Sequence, residues 1–278
     1  MTSNALGEFL RARRDRARPE EFGMPAGGRR RVPGLRRDEV AVLAGMSTDY
    51  YVRLEQGRER NPSAEVLTAL GRVFGLDADG MAHLRRLAHG DPGLSGDTER
   101  VPPGMLRLLE LWRDTPALVQ NRYGDILAYN ALAGAIHAGL SRDRNLIRAT
   151  FLDPAQRALS PDWESTARQA VAWLRAEADP DSARLASLVG ELTLKSRDFA
   201  RLWARHDVRV RSSGRKEFRH PVVGEFGVDY ETLRLEGSSG QTLTVYHTEP
   251  GSRDADALAL LASHSATAAQ RPARHETA

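Results

Sequence analysis

The sequence predicts two domains, an all-α domain of five helices followed by an α+β domain built on an antiparallel sheet. Three observations carry that expectation. Apolar residues recur at helical spacing through the first ninety positions, HGDPGLSGDTERVPPG from His89 to Gly104 breaks all periodicity, and beyond Val208 the apolar period falls to two. At 278 residues the chain is long enough for two ordinary domains, each burying its own core.

The first helix is expected over Leu6 to Ala17, with Leu6, Phe9 and Leu10 on one stripe and arginines elsewhere. Pro19 ends it, and the segment through Pro33 reads as an extended loop holding Gly27, Gly28 and Arg29, Arg30 and Arg31. In RDEVAVLAGMSTDYYVRLEQG, from Arg37 to Gly57, the helical pattern is interrupted once, at Gly45. That is two short helices and a tight turn, with Ala41 small at the crossing, Gly45 suited to a left-handed backbone and Ser47 placed to cap the second helix. Val40, Ala41, Tyr51 and Leu54 then face inward. Thr48, Asp49, Tyr50 and Arg53 are left on or near an outer surface that fits a DNA major groove.

Ser63 caps a fourth helix carrying Val66, Leu67, Leu70, Val73 and Phe74, and a fifth spans Ala78 to His89. His83 and His89 have no partners at metal-ligand spacing and are read as packing or surface histidines.

Charge is uneven along the chain. Net charge is +3, yet residues 1 to 37 hold ten arginines against four acids. Beside a groove-sized helix pair, that bias favours phosphate neutralisation and salt-sensitive nucleic-acid binding over a merely solvated face. Arg37 and Arg58 flank the pair as further contacts, and Arg29, Arg30 and Arg31 suit the phosphate backbone or a minor groove.

The stretch GRRRVPGLRRDEVAVLAGMSTDYYVRLEQGRERNPSAEVLTALGRVFGLD resembles the helix-turn-helix of the Xre/Cro group, and more particularly the actinobacterial MmyB-like regulators. The resemblance implies sequence-specific binding of double-stranded DNA, with Arg53 matching a base-facing position. DNA-contacting residues are then expected at Arg29, Arg30, Arg31, Arg37, Ser47, Thr48, Asp49, Tyr50, Arg53 and Arg58. Helix-turn-helix proteins commonly bind as dimers on inverted repeats, so a homodimer is expected as well.

Beyond a linker at 91–104, a helix carrying Met105, Leu108, Leu109 and Trp112 opens the second domain. PALVQNRYGDILAYN, from Pro116 to Asn130, reads as a hairpin around Tyr123-Gly124-Asp125. Helical stripes follow: Trp163, Ala167, Ala170, Val171, Leu174 and Ala178, then Leu185 through Trp203. Strands are expected where Val208 and Val210, then Phe226, Val228 and Tyr230, then Leu243, Val245 and His247 alternate. They are expected to join the hairpin in one antiparallel sheet, with the intervening helices on one face. Leu258, Leu260 and Leu261 suggest a closing helix, and 264–278 reads as a disordered tail.

DWESTARQAVAWLRAEA, LVGELTLKSRDFARLWARHDVRVRSSGRKEFRHPVVGEFGVDYETLRL and TVYHTEPGS resemble the ligand-binding domain of the same family. That resemblance implies a PAS-like domain over 105–263 and a small, fatty-acid-like or acidic lipophilic ligand. Candidate lining residues are Trp112, Tyr129, Trp163, Trp173, Trp203 and Phe226, expected to converge on one sheet face. Candidate polar anchors are His206, Arg209, Arg211 and His220. The basic run Arg205 to Arg219 also fits a solvated strand face with edge-protecting charges, or a second DNA or subunit contact.

Catalytic motifs are missing: there is no GxxxxGK, HExxH, GxGxxG or GxSxG, and Gly237-Ser238-Ser239-Gly240 is the wrong order and reads as a hairpin turn. Neither an enzyme nor a cofactor is expected. The absence of cysteine excludes disulfides and thiolate sites and suits a reducing cytosol, and no apolar run is long enough for a membrane span or resembles a signal peptide. Two further readings stay open: an enzyme fused to a DNA-binding module, and a second domain that only dimerises.

Overall fold

The computed structural model describes residues 4–24, 34–59, 61–89, 100–138, 144–210, 212–236, 238 and 240–269. By its internal contacts the chain divides into two units. The first comprises Met1–Gly93, Val171–Glu191 and Ala200–Val210, and the second Leu94–Ala170, Leu192–Phe199 and Arg211–Ala278.

The N-terminal segment of the first unit contains helices α1 (Ala5–Arg16), α2 (Arg37–Leu43), α3 (Thr48–Glu55), α4 (Ala64–Val73) and α5 (Ala78–His89), with a 3-10 turn at Pro19–Phe22. Its core includes Phe9, Leu10, Val40, Ala41, Tyr51, Leu54, Leu67, Leu70 and Leu84 at helical spacing, together with Leu35 just before α2. The α2–α3 turn is built by its residue types. Gly45 takes φ +68, and the Ser47 hydroxyl accepts from Tyr50 N at 3.2 Å. Ser63 caps α4 in the same way, accepting from Val66 N at 3.4 Å.

The second part of the chain contains α6 (Pro103–Leu111), β1 (Ala117–Gln120), β2 (Ile126–Tyr129), α7 (Ala131–Ile136), α8 (Leu146–Leu152), α9 (Pro154–Leu159) and α10 (Trp163–Glu177). It continues with α11 (Ala183–Lys195), α12 (Arg197–Trp203), β3 (Ser213–His220), β4 (Gly224–Arg234), β5 (Thr242–His247) and α13 (Arg253–Ala269). Among the described residues the strands form one antiparallel sheet in the order β2-β1-β5-β4-β3. The expected hairpin therefore pairs with the last strand, in register Leu118 with Thr244 and Gln120 with Thr242. One core joins Leu118, Phe218, Phe226, Val228 and Tyr246 to Leu132, Ile136, Leu159, Leu258 and Leu261 of the helices. Because side chains alternate across a strand, Ala117, Val119 and Leu243 go to a separate core with Leu109 of α6.

Three expectations differ from the structure. Val208 and Val210 alternate with arginines, yet residues 207–210 form no strand. Val208 is buried in the first unit's core, while Arg209 N donates to Ala172 O at 3.3 Å and Val210 N to Asp79 Oδ2 at 2.9 Å. Those backbone donors are spoken for, so the strand starts only at Ser213. Secondly, α13 runs to Ala269, past the expected start of the tail. Thirdly, the six aromatic residues expected on one sheet face do not share a place.

Candidate nucleic-acid interface and ligand domain

The outward face of α3 carries Ser47, Thr48, Asp49 and Arg53 exposed, Tyr50 half-buried beside them and Arg58 exposed just beyond. Arg53 Nη1 is ion-paired with Asp49 Oδ2 one turn earlier, and its guanidinium lies 5.6 Å from the Tyr50 ring centroid. This places a planar five-donor group, backed by an aromatic ring, on the outer surface of a helix with buried Tyr51 and Leu54 behind it.

The other end of α3 is fixed by a buried carboxylate. Glu55 accepts from Arg14 Nε and Nη2, each at 3.1 Å, and from Arg37 Nη2 at 3.0 Å. Burial works to raise the Glu55 pKa, but the hydrogen bonds from Arg14 and Arg37 hold the group below the ordinary carboxylate range. Arg37, expected beside the phosphates, thus also has a structural partner. Arg29, Arg30 and Arg31 lie outside the described residues.

A strap of chain closes over the helices of this unit. Arg16 Nη1 meets Asp207 Oδ1 at 2.6 Å and the Arg205 carbonyl at 2.6 Å. Arg13 Nη2 reaches the His206 carbonyl at 3.2 Å, and Arg86 bonds the Ala176 carbonyl. Arg175 stacks 3.8 Å over Trp203 and meets His206 Nδ1 at 3.1 Å. Burial first, then the arginines around it, pushes His206 down to about 4. His83, edge-on to Phe9 at 5.2 Å, is pushed down to about 3 for the same reasons. Burial lowers Arg175 to about 10. Sequence reasoning missed this cluster because its members stand far apart in the chain.

The expected ligand residues therefore fall into several groups. Tyr129 and Phe226 belong to the sheet core with Phe218, Tyr246 and Val228. Trp163 donates Nε1 to Thr150 O at 2.9 Å, and Arg157 stacks 3.6 Å over its ring. Trp112 packs with Val101, Met105 and Leu109 in the α6 core. Trp173, Trp203, His206 and Arg209 belong to the first unit, with the Arg209 side chain exposed. Arg211 lies outside the described residues. His220 is buried with Nε2 3.0 Å from Ala135 O and Nδ1 3.2 Å from Val222 N, so both ring nitrogens are engaged. The physical reason for the scatter is that an aromatic at helical spacing signals burial and says nothing of which neighbour buries it.

Residues not foreseen share the sheet core. His137, wholly enclosed and pushed down to about 3 by burial and then by Lys216, lies edge-on to Phe218 at 5.6 Å and 3.3 Å from the Tyr246 hydroxyl. Among the described residues no helix is long and apolar enough to cross a membrane, and no group of His, Asp and Glu is placed to hold a metal ion.

Comparison with known families finds two matches in succession along the chain. Residues 5–84 match a helix-turn-helix domain, and residues 101–261 match the MmyB-like transcription regulator ligand binding domain. Both are regulator domains. No curated protein matches the chain.

Proposed function

The chain belongs to the MmyB-like transcription regulator family, and from that premise we propose that α3 reads an operator in double-stranded DNA while a small lipophilic acid in the second domain shifts that affinity. In this reading Arg53 binds a guanine edge through two hydrogen bonds, framed by Thr48, Asp49 and Tyr50. Ser47, Arg37 and Arg58 lie beside the backbone, and Arg29, Arg30 and Arg31 extend the basic surface. Tyr129, Phe226 and Trp163 remain the proposed apolar contacts. A fatty-acid-like molecule is the proposed ligand class, and a homodimer on an inverted repeat the proposed binding form, because one recognition helix spans only a few base pairs.

One observation carries the coupling. The strap Asp207–Val210 is fastened to α1 through Arg16 and to α5 through Asp79, and the next residue, Arg211, begins the second unit's share of the chain. A ligand that alters the path into β3 pulls directly on the helices that hold α3. It can change DNA affinity only by as much as it prefers one state over another, typically about 1 to 3 kcal/mol. The experiment is operator titration of the delipidated full chain with and without decanoate, with mass determined by light scattering on and off the operator. An unchanged affinity would leave the dimerisation-only reading, and a monomer in both conditions would remove the dimer.

A further inference from the structure

Helix α6 turns leucines outward. Its Leu109 joins the core on one side of the sheet, yet Leu108 is 39 % exposed and Leu111 76 %. At about 100° per residue, Gly104, Leu108 and Leu111 fall within about 60° of one another, a single stripe along the helix. Leu106 is exposed too, but it stands nearly opposite that stripe and does not belong to it.

Glycine is the odd member of the stripe. It weakens a helix, and this one lies in the first turn of a helix of only nine residues. Gly104 is exposed, its φ is not left-handed, and a Cβ added there would meet only the Nη2 of Arg107, 3.9 Å away. No neighbour within the chain requires the missing side chain, whereas a second backbone passing close by would.

Arg107 and Glu110, both exposed, lie together on one shoulder of the stripe. Two such helices packed antiparallel, about a dyad between residues 107 and 108, place Leu111 of one over Gly104 of the other and set the two Leu108 side chains beside the dyad. The same register brings Arg107 within about 3 Å, along the axis, of the other copy's Glu110, and symmetry repeats the pair. Size and charge are thus complementary in one register, as an isologous contact demands. Apolar surface continues beside the helix: Leu233 of β4, paired in register with the Leu243 that shares a core with Leu109, is 53 % exposed. A stable pair of chains needs about 800 Å² from each partner, more than one short helix presents, and this strip is its expected extension.

We propose that two copies of the chain pair through α6 in this antiparallel register. The proposal gives the homodimer proposed above its contact surface, and it rests on that reading.

The chain has no cysteine, so introduced thiols report without background. Under mild oxidation of the full chain, Leu108→Cys should form a disulfide-linked dimer, and Leu106→Cys, on the far side of the helix, should not. Sedimentation velocity gives the second readout. Leu111→Glu, and separately Glu110→Arg, which sets like charges together, should each raise the dimer dissociation constant about tenfold or more. Arg107→Glu combined with Glu110→Arg should bring it back to within about threefold of the parent. These side chains are exposed, so the variants should melt with the parent. A dimer that persists in every variant, with both cysteine variants crosslinking alike, overturns this surface and leaves the homodimer to another face. A parent that is monomeric both free and on DNA removes the homodimer itself and the proposal with it. A monomer whose melting midpoint falls in Leu111→Glu, with Leu108→Cys left unlinked, shows that the same chain covers the stripe and likewise overturns the proposal.

Discussion

Arg14 of α1 and Glu55 of α3 are joined by two parallel hydrogen bonds, Nε to Oε2 and Nη2 to Oε1, both at 3.1 Å and both buried. Helix α3 is thereby locked to α1 at its C-terminal end. Removing one member of a buried pair strands the other, at a cost of about 3 to 5 kcal/mol. Arg14→Met is expected near the lower end, since Arg37 still reaches Glu55. Urea denaturation of the full chain measures it, and a loss below about 1 kcal/mol would show the pair to be dispensable.

Arg53→Ala should relax sequence preference, with a loss of roughly 1 to 3 kcal/mol on the operator and little on scrambled DNA. Arg37→Ala should weaken both alike. Asp49→Asn frees Arg53 from its ion pair and removes an anion from the exposed face of α3, so it should tighten binding to both sequences. Equal losses on both DNAs for Arg53→Ala would reject its base-reading role.

Loosening the strap should separate sensing from binding. Arg16→Ala with Asp79→Ala removes the bond to Asp207 and the acceptor for Val210 N without touching α3. Basal operator affinity should stay within about threefold, while the ligand-induced change, typically about 1 to 3 kcal/mol, shrinks toward zero. A full ligand response in the double variant would place the coupling elsewhere.

Acid should weaken the first unit through its buried histidines. His83 and His206 are held down to about 3 and about 4, whereas an unfolded histidine titrates near about 6.5. Between those values the unfolded chain binds more protons than the folded one. Stability is therefore full above about pH 6.5 and falls as pH drops toward the folded values. His83→Phe, which keeps the contact with Phe9, and His206→Asn, which suits the φ of +52, should each flatten the fall in melting midpoint. A double variant with the parent's pH profile would contradict this assignment.

Local chemistry was legible in the chain, and long-range pairing was not. Gly45, Ser47 and Ser63 announce a left-handed turn and two caps because each acts within three residues of itself. The stripe Phe9, Leu10, Val40, Tyr51, Leu54 marks a core for a similar reason, and the structure buries every member. Val208 and Val210 mislead because alternation over so few residues also describes an extended strap whose donors are claimed by Asp79 and Ala172. The arginines misled differently. Exposed Arg209 and buried Arg122 are identical as letters, and only the fold decides which is solvated and which enclosed.

The strand order has a consequence for the timing of synthesis. The middle strand of the sheet, β5, is the last of the five to leave the ribosome, so β1 and β4 each keep an open edge until Thr242–His247 emerges. The first unit waits too, because its contacts include residues up to Val210. At roughly 5 to 20 residues per second, a nascent chain spends on the order of ten seconds with the helix pair made but its strap still missing. A fragment stopped at residue 93 would stay in that condition permanently, so the helix pair alone is a poor surrogate for the DNA-binding unit.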